Sequence, residues 1–369
     1  MRTVLLFAVS CLLVASAPRR LAWADEVDEA GRMTTTIDSV ERRDQFLERF
    51  RALGSEPDIH GVKRQLPWAQ SFLMERLNSG MKYDPPQFPD GTLGVAGLRD
   101  DDVSLQTYMR LVAECPYVAD LSFSPGEASD ADLLLLQGHP GIQKIKMGRN
   151  KMTDVGLAVL PSLPKLESLT CGVSIITDET LQILSRCKNL RILSLSHVES
   201  TDAGFEALAH LKKLQFLELM GTPICRGVRH LTDLPLTSLN LSKTLVDDES
   251  LKSIGEITTL RELSIGETAI TDDGLKHLAG LQSLESLSLY DNAITAKGLR
   301  EIQRLPHLDS LSLSGVPLDD DAVHVLAEMQ NLRSLFIMRT PITKDQLNYL
   351  DEHLPDKCRI YADDETDAK

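Results

Sequence analysis

The pattern Leu-x-x-Leu-x-Leu returns at a fixed spacing through most of this chain. Leu260 to Ile265, Leu284 to Leu289, Leu308 to Leu313 and Leu332 to Ile337 begin 24 residues apart. Equivalent starts fall at Leu236, Leu214, Leu190, Leu166, Ile142 and Val118, and every interval is 24 except the 22 between Leu214 and Leu236. That makes ten clear copies, with a degenerate eleventh between Val95 and Pro116. A unit this short cannot bury its own apolar faces, so the copies have to stack on one another as a solenoid. This excludes the two or three separate globular domains that 369 residues would otherwise allow.

The consensus is L-x-x-L-x-L-x-x-(T/N)-x-I-T-D-x-G-L-x-x-L-x-x-L, and each position has a mechanical reading. The fourth and sixth residues of a strand point the same way, so Leu169, Leu193, Leu217, Leu239, Leu263, Leu287 and Leu311 form one inward column. Cys171, Leu195, Leu219, Leu241, Ile265, Leu289 and Leu313 form a second. The Thr-Asp step opens a helix: Thr153, Thr177, Thr201, Thr271 and Thr295 are expected N-caps, and Asp154, Asp178, Asp202 and Asp272 put negative charge in the first turn. Pairs such as Leu157/Leu160, Leu181/Leu184, Leu275/Leu278 and Leu347/Leu350 supply the inward helical stripe.

These residues resemble the leucine-rich repeat family, in its ribonuclease-inhibitor-like, cysteine-containing style with an I-T-D-x-G-L segment. The resemblance runs from Val118 to about Asp356. It implies an α/β solenoid, a curved right-handed coil with a parallel sheet on the concave side and helices on the convex side. Leucine accounts for 61 residues and aromatics for only 5%, as expected when a small aliphatic core unit is written ten times over.

Four segments are expected. Residues 1–24 read as a signal peptide, with Arg2 ahead of the uncharged run Val4 to Ala15 and a small-x-small cleavage site at Ala22-Trp23-Ala24. Export implies a secreted, periplasmic or cell-surface protein, and an uncleaved anchor is the other possibility. Residues 25–92 read as an N-terminal helical cap and linker, with an amphipathic helix over 37–53 and a second helix around Pro67 to Leu77. The solenoid occupies 93–361, and Lys357 to Tyr361 is a candidate closing strand. Residues 362–369 read as a disordered acidic tail.

Cleavage leaves five cysteines, an odd number without metal-ligand spacing. Cys115 and Cys187 stand where other copies carry leucine, and Cys171 takes an inward strand position, so all three read as free core thiols. No role follows for Cys225 or Cys358. Net charge is −15, and −18 once three arginines leave with residues 1–24. An acidic chain argues against nucleic acid or an anionic membrane as a partner.

Serine fills most of strand positions three and five, which face the concave side with positions seven and eight. Two groups break that pattern. Phe216, Glu218 and Met220 share the strand of the 22-residue copy; Tyr290, Asp291, Phe336, Met338 and Arg339 cluster toward the C-terminus. Aromatics, Met and Arg are enriched among binding anchors, so these eight are the candidate partner-binding residues. Arg226, Arg229 and His230 make a small basic spot that reads as solvated surface rather than an anion site. Asp319-Asp320-Asp321 reads as helix capping rather than a calcium loop.

The sequence carries no HExxH, G-x-S-x-G or phosphate-binding loop, and the recurrence of its Asp residues suits capping better than catalysis. The expectation is a non-enzymatic scaffold, without metal or cofactor, that binds a protein through its concave sheet. Two alternatives stand beside it: an F-box-like adaptor of a ubiquitin ligase, suggested by Leu66-Pro67 with Phe72, Leu73 and Leu77, and a carbohydrate-binding or enzymatic exported protein. The residues decide neither the partner's identity nor the oligomeric state.

Overall fold

The computed structural model describes residues 93–95, 105–114, 116, 118–123, 128–148, 152–172, 176–196 and 198–363. All belong to the second of two compact units, Phe50–Lys369. The expected signal peptide, helical cap and linker, Cys115 and the tail beyond residue 363 lie outside them.

Each repeat contributes one short strand to a single twelve-stranded sheet whose spatial order is its sequence order. The strands are β1 (Leu93–Val95), β2 (Val118–Phe123), β3 (Lys144–Met147), β4 (Ser168–Gly172), β5 (Ile192–Ser196) and β6 (Phe216–Glu218). They continue as β7 (Ser238–Asn240), β8 (Glu262–Ser264), β9 (Ser286–Ser288), β10 (Ser310–Ser312), β11 (Ser334–Phe336) and β12 (Arg359–Tyr361). Pairing is parallel and keeps the repeat register, with Leu239, Leu263, Leu287, Leu311 and Leu335 side by side. β1 begins two residues ahead of the expected degenerate copy and overlaps it only at Val95, and the expected closing strand is β12. Both inward leucine columns are buried, as are Cys171 and Cys187. Burial pushes both thiols up to about 12, and both are free, as expected for core sulfhydryls; Cys225 and Cys358 are half-buried and also free.

The return segments are helical turns, and four of the five expected threonines stand at N-caps, while Ala203 rather than Thr201 precedes the Gly204–His210 turn. Thr153, Thr271 and Thr295 accept from the amides of Val155, Asp273 and Lys297, and Asp319 accepts from Ala322. The returns of two adjacent copies, Gly204–His210 in a 24-residue copy and Arg226–Leu231 in the 22-residue copy, are 3₁₀ rather than α.

The aspartates do more than charge the first turn. Each reaches across to the following repeat. Asp130 accepts from the amide and hydroxyl of Thr153, both at 2.7 Å. Asp178 takes Thr201, and Asp248 takes Thr271, in the same two-bond way. Asp272 accepts from Thr295 N at 2.8 Å, Thr295 Oγ1 at 2.6 Å and Gly298 N at 3.1 Å. This rung explains the consensus glycine: a Cβ at Gly156, Gly204, Gly274 or Gly298 would stand under 3.0 Å from Oδ1 of the preceding repeat's aspartate.

Departures from the rung are matched across the repeat boundary. Where Thr180 replaces glycine, its hydroxyl donates to Asp154, and where Gln346 replaces it, its amide donates to Asp320 at 2.7 Å. Ala322 is the one apolar side chain at the glycine position, and it follows the repeat in which Ala296 replaces the aspartate. In the 22-residue copy Arg226 stands at the aspartate position, and the next repeat answers with Asp247 at the threonine position. They pair bidentately at 2.7 and 2.9 Å. Ser250 then fills the glycine position and donates to Asp247.

Candidate functional site

Beyond each strand the chain leaves the sheet through positions seven and eight, and the backbone there is fixed from two sides. The amide at position eight donates to the position-seven carbonyl of the following repeat: Lys243 to Gly266, Glu267 to Tyr290, Asp291 to Ser314 and Gly315 to Met338, at 2.8 to 2.9 Å. At position nine, Thr222 and Thr268 donate back to the position-six carbonyls of Leu219 and Ile265 at 2.8 Å. Between these anchors position eight is left-handed, at φ 71 for Gly221, 59 for Lys243, 51 for Glu267, 54 for Asp291, 74 for Gly315 and 56 for Arg339. Glycine takes that conformation freely, whereas an L side chain costs about 1 kcal/mol or more. Four of these six positions carry a long or charged side chain nonetheless.

Those side chains pair along the column. Lys243 Nζ lies 3.0 Å from Glu267 Oε1. Arg339 Nη2 lies 2.8 Å from Asp291 Oδ2, passing over Gly315 in the repeat between them. A Cβ at Gly315 would collide with the Asp291 carboxylate, so glycine opens that path. The backbone amide of Arg339 also donates to Asp363, just past the closing strand. The Glu267 carboxylate raises the Lys243 ammonium, and Asp291 raises the Arg339 guanidinium, so both stay charged.

Tyr290, at position seven, uses a second glycine. A Cβ at Gly266 would fall within 2.6 Å of three consecutive ring atoms, Cγ, Cδ1 and Cε1. Only a point above the ring face is that close to all three, so the tyrosine lies face down on Gly266. Its hydroxyl reaches Ser242, two repeats back. Burial, only partly offset by the Ser242 bond, raises the phenol above its ordinary value, so it stays protonated. Glu267, Lys243 and Asp291 all act electrostatically on this phenol, which places the tyrosine and both ion pairs in one cluster.

The expected residues divide accordingly. Tyr290, Asp291, Met338 and Arg339 come together on this rim, Met338 with 42% of its surface exposed. Phe336 does not join them, which corrects its reading as an exposed anchor. It is 6% exposed and stacked on Tyr361 of β12, with ring centroids 4.5 Å apart. Phe216, Glu218 and Met220 are half-buried on and just beyond β6, with Glu218 accepting from Ser194 at 2.9 Å. The strands β7 and β8 separate them from Tyr290's repeat.

Six of the nine expected solvent-facing serines are also corrected, while Ser168, Ser286 and Ser288 stay half-exposed. Ser194, Ser238, Ser264, Ser310, Ser312 and Ser334 are buried, because strands about 4.8 Å apart hem in so short a side chain. The basic spot is dispersed, with Arg226 committed to Asp247 and Arg229 Nε 3.2 Å from His230 Nε2. Lys243 and Glu267 were missed by reading the repeats singly. Read down the position-eight column, Gly-Lys-Glu-Asp-Gly-Arg shows them. Among the described residues no group of three His, Cys, Asp or Glu could hold a metal ion, and no helix is long and apolar enough to cross a membrane.

Comparison with known proteins agrees with this architecture. A family model described as "Leucine-rich repeat region" matches residues 165–361, just over half of the chain. No curated protein matches it. Among solved structures, an internalin from Listeria monocytogenes superimposes with a TM-score of 0.50 at 19% identity, covering 75% of this chain and 87% of its own. At that identity the likeness is one of fold.

Proposed function

The chain belongs to the leucine-rich repeat family, and from that premise we propose that it is an exported, non-catalytic scaffold that holds a protein partner on the rim formed by Lys243, Glu267, Tyr290, Asp291, Met338 and Arg339. The observation that carries this reading is the strain. Non-glycine residues occupy a left-handed column where Gly221 and Gly315 show that glycine fits, and the return on that cost is a row of exposed or half-exposed charged and apolar groups. Unexplained local strain that displays side chains is expected of a recognition surface. The non-catalytic reading is supported by the recurring aspartates, which are already engaged by threonine and backbone amides.

Export is supported by the Val4 to Ala15 run and the Ala22-Trp23-Ala24 site. N-terminal sequencing of protein collected outside the cytosol should begin at Asp25. The ribonuclease-inhibitor-like assignment is supported by the I-T-D-x-G-L segment and the buried Cys171 and Cys187.

The test is affinity capture with the full chain and with a Tyr290→Ala/Met338→Ala variant that melts at the same temperature. A protein retained by the first and lost from the second supports the rim. Equal retention by both sends the binding surface elsewhere.

A further inference from the structure

Resting on that reading of the rim, we propose that the group it recognises is a neutral saccharide, a pyranose stacked on Tyr290 with its hydroxyls held by the two flanking ion pairs. One face of the tyrosine ring lies on Gly266. The next side chain in the same column is Ser314, so no bulky neighbour from that repeat covers the other face. An aromatic ring fixed flat and half-exposed is a rigid platform. Its face is electronegative and suits the weakly positive axial C–H bonds of a sugar ring.

The charges around the platform favour a neutral ligand. Lys243, Glu267, Asp291 and Arg339 sum to zero, and each is already paired at 3.0 or 2.8 Å. A charged partner group would have to displace one member of a pair. A hydroxyl need not, because it both donates and accepts, and each pair presents a donor beside an acceptor. Neighbouring hydroxyls on one sugar could therefore bond to both members without breaking the pair. Acidic glycans are disfavoured further by the chain's net charge of −15. Arg339 and Asp291 lie in repeats 48 residues apart, with only Gly315 between, so the polar frame spans more than one strand without a side chain blocking its middle.

The experiment is saturation-transfer NMR on the full chain with cellotetraose, maltotetraose and chitotetraose as neutral probes and a heparin tetrasaccharide as the acidic one. At least one neutral probe should receive saturation on its ring C–H protons. Tyr290→Phe should keep that signal, and Tyr290→Ala should weaken binding about ten-fold, the size of one lost stacking contact. Gly266→Ala should act like Tyr290→Ala by evicting the ring. If that variant melts early, the Tyr290→Phe and Tyr290→Ala pair, which leaves the backbone untouched, decides alone. Transfer to no neutral probe, equal transfer in Tyr290→Ala, or preference for the heparin probe overturns the proposal. Its failure is separable from that of the scaffold reading: a captured partner that still needs Tyr290 after enzymatic deglycosylation would refute the saccharide and leave the scaffold standing.

Discussion

The rung between repeats makes Gly298→Ala a test whose sign depends on a residue 26 positions away. The new Cβ would stand under 3.0 Å from Asp272 Oδ1, the oxygen that accepts from Thr295 N and Gly298 N. The carboxylate must swing out, and two bonds to a charged acceptor are lost. Each is worth about 1.5–3 kcal/mol, and Thr295 is exposed, so the low end applies and the loss is about 3 kcal/mol. Alanine repays roughly 1 kcal/mol in helix propensity, leaving a net cost of about 2 kcal/mol. In an Asp272→Ala background there is no carboxylate to displace and the flexible end of Leu275, 2.9 Å from the new Cβ, has to give, so the same substitution should be neutral or stabilising by up to about 1 kcal/mol. That background copies the native Ala296/Ala322 pairing. Urea unfolding of all four proteins, followed by circular dichroism, closes the cycle. A coupling of about 3 kcal/mol is expected, and a Gly298→Ala cost equal in both backgrounds would refute the rung.

Removing the exchanged rung with Arg226→Ala should cost about 1 kcal/mol, because the pair is half-exposed, and the cost should shrink at about 1 M salt. The triple exchange Arg226→Asp/Asp247→Thr/Ser250→Gly, which rewrites the consensus, should recover that stability and lose its salt dependence in the same urea assay. Acid should weaken the stack. Burial works to raise Asp178, Asp202 and Asp247, but hydroxyl and amide bonds, with Arg226 as well at Asp247, outweigh it and hold all three below the ordinary value. Folded values below the unfolded one mean this stabilisation is complete above the usual carboxyl range, near 4, and is lost as pH falls through the folded values. The urea midpoint measured against pH should therefore be flat above about 5 and fall below about 4. Iodoacetamide should label Cys171 and Cys187 only on unfolding, and mass spectrometry of digests that found either modified in native protein would contradict their burial.

Much of this architecture was legible in the sequence because one chemical demand fixes it. A leucine must recur wherever a strand or turn faces the core, so Leu260, Leu284, Leu308 and Leu332 set the register of β8 to β11. Thr271 and Thr295 announced their helix starts for the same local reason. What stayed hidden acts between repeats or outside them. Asp272 reads as first-turn charge until its partner in the next repeat is known. Lys243, Glu267 and Arg339 are not residues that favour positive φ, so nothing local marks their backbone. Phe336 looks exposed in the repeat register because Tyr361, which covers it, belongs to a closing strand beyond that register.

The two sides of the stack treat substitutions differently, and the difference can be measured. On the convex side several departures from the rung are answered by a neighbour that restores a bond or removes a clash, as in Arg226 with Asp247 and Ala296 with Ala322. At position eight nothing relieves Lys243, Glu267, Asp291 or Arg339, whose φ angles stay between 51 and 59. Their ion pairs are solvent-exposed and worth about 0–1 kcal/mol each, less than the strain of two left-handed side chains at about 1 kcal/mol or more apiece. A rim built for stability would use glycine at all six positions. Lys243→Gly/Glu267→Gly should therefore leave the urea midpoint unchanged or raise it, while reducing whatever the rim captures. A loss of more than about 1 kcal/mol in that double variant would mean that the ion pair outweighs the strain. The rim would then be part of the fold's support rather than its recognition surface.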